Sequence, residues 1–136
     1  MWIIYSLCAA LSFSGIFVIF KALELRSVST FVSLAWVFIV AALLYVGHNA
    51  YTKESLKVSG TVLYLVLAAG VLSYIGNAFQ FRATALAPNP GYAIAVVSVQ
   101  VVLVTVLSLF LFGSDFSTTK GLGVLLSLCG VILLSL

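Results

Sequence analysis

The chain has 136 residues, 64% of them hydrophobic and only 7% charged, with a net charge of +3 and a mean hydropathy of +1.32. That leaves too little polar material to surface a soluble domain of this size. The six basic residues (Lys21, Arg26, Lys53, Lys57, Arg82, Lys120) and the three acids (Glu24, Glu54, Asp115) fall between apolar runs or at their edges, so the expected fold class is an all-α membrane protein.

Run one, Ile3 to Phe20, ends at Lys21, Glu24 and Arg26. It lacks a basic leader and outlasts a signal-peptide core of about 7–15 residues, which predicts a retained helix over about 2–21. Run two, Thr30 to Gly47, predicts a helix over 30–48. Run three follows Ser59-Gly60 and predicts a helix over 60–87. Pro88-Asn89-Pro90-Gly91 stops it, because two prolines and a glycine cannot continue a helix. Run four, Tyr92 to Phe112, predicts a continuous helix over 91–112. Run five, Gly121 to Leu136 with a start at Thr118, predicts 118–136; it is short, but Lys120 can snorkel to the interface. Backbone in lipid must satisfy itself, so the expectation is one domain over 1–136 of five transmembrane helices, sequential neighbours antiparallel, with no soluble tail.

The basic residues come one or two per loop, as membrane-edge anchors do, so nucleic acid is not an expected partner despite a pI near 9.0. Alternation of the helices puts Lys53, Lys57 and Lys120 on one face and Lys21, Arg26 and Arg82 on the other, a bias of 3 − 3 = 0. Lysine and arginine asymmetry normally sets orientation. Either one of these residues is buried and a weak bias remains, or copies insert both ways.

Inside run three, Ser73, Asn77, Gln80 and Thr84 follow at steps of four, three and four, which puts them on one helical face. An amide in hydrocarbon needs a partner, so this face either bonds neighbouring helices or walls a polar pathway. Gln100 sits near the middle of run four and Trp36 near the middle of run two, with Ser33 one turn before it. Arg82 is either an interface anchor or a buried cation needing an anion, and Glu24 is placed to pair with Lys21 one turn away. Gly123, Ser127 and Gly130 form a small-residue stripe suited to close helix packing or an oligomer contact. Cys8 and Cys129 have neither metal spacing nor disulfide logic. No nucleophile–base pair, metal cluster or phosphate loop is evident, so neither an enzyme nor a cofactor or metal is expected, and no carboxylate lies within a run where proton-coupled carriers usually hold one.

Phe81-Arg82-Ala83-Thr84-Ala85-Leu86-Ala87-Pro88, followed by Pro90-Gly91-Tyr92-Ala93-Ile94-Ala95, resembles the junction between helices three and four of an EamA-type domain of the drug/metabolite transporter superfamily. Leu109 to Gly113, Ser114-Asp115-Phe116-Ser117, Gly121 and Gly130-Val131 resemble its closing pattern, and Lys21 sits where the family often ends helix one with a lysine. The likeness covers essentially the whole chain. It implies a carrier of small organic solutes, in which two five-helix repeats of opposite orientation surround a cavity lined by the first four helices of each. This chain would be one half of such an inverted-repeat transporter. Phe13-Ser14-Gly15 stands where the related small multidrug resistance proteins have a glutamate, and Gln100 stands where EamA domains often have proline, a change expected to remove a kink.

The resulting expectation is an integral membrane transporter in a prokaryotic plasma (inner) membrane. It would work by alternating access as an antiparallel, dual-topology homodimer, with lipids and a second copy, or a homologous five-helix subunit, as partners. Expected solute-binding residues are Asn77, Gln80, Gln100 and Trp36, with Ser14, Ser33 and Ser73 as weaker candidates. The alternatives are a heterodimeric transporter or lipid-linked-sugar flippase subunit, and a membrane assembly subunit that moves nothing.

Overall fold

The computed structural model describes residues 1–113, 115 and 117–135. Ser114 and Phe116 of the expected closing turn, and Leu136 at the expected end of the last helix, lie outside the described residues. Six helices and no strand are present among the described residues: α1 Trp2–Leu25, α2 Thr30–Thr52, α3 Thr61–Leu86, α4 Pro90–Val97, α5 Gln100–Phe112 and α6 Thr118–Ser135. α1, α2, α3 and the pair α4–α5 are each long and apolar enough to cross a membrane, and Thr118–Leu134 is a shorter apolar helix. Large apolar side chains stand exposed along all of them, Phe110 at 83%, as lipid allows and water does not.

Contacts divide the chain into two units, residues 1–85 and 86–136. The first holds α1, α2 and nearly all of α3. Its buried residues are Phe20, Ser33, Leu34, Phe81 and Thr84, and Phe20, Leu34 and Phe81 form one cluster. Phe20 is five residues before the end of α1, Leu34 four after the start of α2 and Phe81 five before the end of α3. At 1.5 Å per residue each lies about 6–8 Å inside the same end of the three helices. Phe81, 1% exposed, packs on Phe20 with ring centroids 4.4 Å apart.

Hydroxyls along the helices fold back on their own carbonyls: Ser6 on Trp2, Ser12 on Cys8 and Ser14 on Ala10 at 2.8–3.0 Å, and Thr105 on Val101 at 2.7 Å. In lipid this is the nearest acceptor available. α1 continues a turn past Lys21, and Lys21 and Glu24 pair at 3.4 Å along that turn. It ends where Ser27 turns left-handed at φ 58°, with the Ser27 amide donating to Glu24 O and the Val28 amide to Leu23 O.

In the second unit, Asn89 caps α4: its side chain accepts from the Gly91 amide at 2.9 Å, with Pro90 at the first helical position. The fourth span is not continuous. At Ser98–Val99 the bonding tightens, Val99 donating to Val96 O and Val101 to Ser98 O, while the Ser98 hydroxyl donates to Ile94 O at 3.1 Å. The expected loss of a kink is therefore corrected: the helix is interrupted without proline, beside a serine that back-bonds. α6 packs on α4 and α5 and contributes the buried Val131. A Cβ at Gly123 or Gly130 would meet nothing within 4 Å, so packing inside the chain does not explain the small-residue stripe.

Ser27→Gly, which removes the Cβ cost of the left-handed turn, is expected to stabilise the protein by up to about 1 kcal/mol. Ser27→Val is expected to destabilise it, and thermal unfolding in detergent reads both.

Candidate functional site

α1, α2 and α3 border a groove of about 610 Å³. α1 lines it with Phe13, Ile16, Phe17 and Phe20, and α2 with residues from Leu34 to Tyr45. α3 supplies the polar wall, Ser73, Asn77 and Gln80. These three share a face because three and four residues are close to one helical turn.

The Asn77 side-chain amide donates to Ser73 O at 2.8 Å and to Ser73 Oγ at 3.2 Å. Thr84, fully buried, donates to Gln80 O at 2.8 Å. The stripe thus bonds along its own helix rather than to neighbouring helices. Among the described residues, the Asn77 side-chain carbonyl and both ends of the Gln80 amide make no hydrogen bond within the chain, and both residues are partly exposed at the groove. The wall therefore presents acceptors and one amide donor, with no formally charged side chain among the lining residues.

The other expected site residues are placed differently. Trp36, 65% exposed, is not among the groove's lining residues. Ser14 is exposed and spends its hydroxyl on Ala10 O. Ser33 is 5% exposed, and its Oγ is buried without a hydrogen-bond partner. Gln100 opens α5 in the second unit, exposed, directly after the break at Ser98–Val99. Arg82 is exposed and makes no ion pair among the described residues, although α3 runs past it to Leu86. Lys21 holds Glu24 at 3.4 Å, as the spacing suggested, and its Nζ also donates to the Ala85 carbonyl on α3. That second contact joins residues 64 apart, and spacing alone does not reveal it. The usable signal was Pro88, which deprives the last turn of α3 of a donor.

The apolar spans, with no strand among the described residues, make this a polytopic, integral membrane protein. A family model described as the EamA-like transporter family matches residues 1–136, and the chain belongs to that family. It is thus a membrane transporter domain, in a family of carriers rather than enzymes, in contact with lipid. No curated protein and no solved structure matches the chain.

With Cys8 and Cys129 replaced by alanine, Asn77→Cys and Gln80→Cys are expected to react with a water-soluble maleimide faster than Trp36→Cys. Equal rates would mean that water does not enter the groove.

Proposed function

We propose that the chain is one five-helix repeat, spanning 1–136, of an alternating-access transporter for small uncharged organic solutes. It works with a second, oppositely oriented copy of itself in a prokaryotic plasma membrane. The observation that carries this reading is the groove of about 610 Å³ with apolar and aromatic walls and an amide stripe, Ser73, Asn77 and Gln80. Ligand sites are commonly 300–1,000 Å³ with a few placed polar groups. The absence of a charged lining side chain favours a solute without net charge, whose polar groups the two amides would meet.

A second copy in the opposite sense is supported by the 3 − 3 balance of basic residues, which gives neither orientation an advantage. It is supported also by Gly123 and Gly130, which leave open space for a neighbouring helix to approach. Inverted repeats are a common way to build alternating access around a midplane site. Gln100, in the second unit, is proposed as a solute contact in its own right, because it is a mid-span amide beside a helix break.

Flux of candidate solutes into proteoliposomes tests the path. Asn77→Leu and Gln100→Leu are each expected to lower it by roughly tenfold to a hundredfold while the dimer persists, since each removes a proposed hydrogen-bond partner of the solute. Survival of transport in both variants would remove these residues from the path. Orientation is tested by fusing the C-terminus separately to a reporter active only in the cytoplasm and to one active only outside it. Signal from both is the expected result. Signal from one alone points to a fixed orientation and an oppositely inserted homologous partner, and a protein that moves no solute in liposomes is an assembly subunit.

A further inference from the structure

We propose that the end of the first unit where α1, α2 and α3 meet is a closed gate of the groove, latched by the bond from Lys21 Nζ to the Ala85 carbonyl, and that solute leaves or enters at this end only when the latch releases. The proposal rests on the transport reading above.

All of the first unit's buried residues lie at this one end. Phe20, Leu34 and Phe81 fill it, and Phe20 and Leu34 are also the groove's lining residues nearest to it. Gln80 sits on α3 next to Phe81, immediately inside the plug. No residue of the unit farther along the helices is buried among those described.

The latch has a specific cause. The Ala85 carbonyl belongs to the last turn of α3, where carbonyls lack a helical donor. Three residues on stands Pro88, which has no N–H to close a tighter turn. Lys21 supplies the missing donor from α1. Its ammonium also has Glu24 at 3.4 Å on its own helix. Breaking the bond to Ala85 therefore leaves the cation with a charged partner, and the Ala85 carbonyl with water from the opened end. Both positions of the latch are chemically satisfied, as a two-state element requires. Ser33 points the same way: its hydroxyl is buried beside the plug without a partner, a cost the closed state carries and opening to water relieves.

The test uses the full chain in liposomes with Cys8→Ala, Cys129→Ala and Ser33→Cys, the last a reporter that is buried while the gate is shut. Labelling by a water-soluble maleimide is expected to be slow with native Lys21. Lys21→Met keeps the apolar stem and loses the donor, and is expected to speed labelling roughly tenfold, the scale of one charge-assisted hydrogen bond. Lys21→Arg is expected to stay near the native rate. Phe81→Leu, which thins the plug without touching the lysine, is the second variant and is expected to raise the rate as well. Fast labelling with native Lys21, or no rise in either variant, overturns the gate. A rise in both variants, in liposomes that show no solute flux with native Lys21, leaves the gate standing and removes the transport reading instead.

Discussion

Hydrocarbon offers no hydrogen bonds, and the structure follows from that. A backbone crossing lipid must pair its own N–H and C=O groups, which makes every element a helix. The same demand reaches the side chains. Ser6, Ser12, Ser14 and Thr105 turn to carbonyls on their own helices, and Asn77 turns to Ser73. Where α3 ends before Pro88 and runs short of donors, a lysine from another helix fills the gap. This polar contact between residues 64 apart is thus a repair of a helix end.

The second consequence is that apolar packing loses much of its urgency. Exposing Phe110 or Trp36 costs little when the surroundings are as apolar as the side chain. Burial is correspondingly sparse, and in the first unit it is gathered at one end. A bundle held along its full length resists bending; three helices joined at one end and more loosely elsewhere can part there or swing about it. Such a structure places its mechanical control in a few named contacts, Phe20 against Phe81 and Lys21 on Ala85.

The class of protein was legible in the sequence because hydropathy is a one-dimensional property: the charges fall outside the runs whatever the tertiary structure does. The face shared by Ser73, Asn77 and Gln80 was legible for a similar reason, since helical periodicity alone fixes it. What those residues bond was not. The spacing that puts Asn77 on a face with Ser73 also puts it in reach of Ser73, and only coordinates decide between a neighbour on the same helix and one across the bundle. Trp36 shows the limit from the other side. A mid-membrane position says how deep a residue is and nothing of its azimuth, and its ring is not part of the groove. The break at Ser98–Val99 was hidden because neither glycine nor proline marks it; the serine that back-bonds to Ile94 is a weak local cue.

A sparsely packed unit also bears on how a solute could move it. A ligand shifts a two-state equilibrium only by the difference in its affinity for the two states. Reversing a 1:99 population takes about 5.5 kcal/mol, which is near the limit for a small solute meeting two amides and an aromatic wall. If the closed end were sealed by a long, well-packed interface, no such solute could open it. The proposed seal has only three fully buried apolar side chains, Phe20, Leu34 and Phe81, with partly buried neighbours around them and a lysine that already has Glu24 as a second partner, so the required difference would fall nearer the range that hydrogen bonds to the proposed contacts Asn77 and Gln80 would supply. On the proposed reading, the sparse packing of this unit is what would let a weak, uncharged ligand operate it.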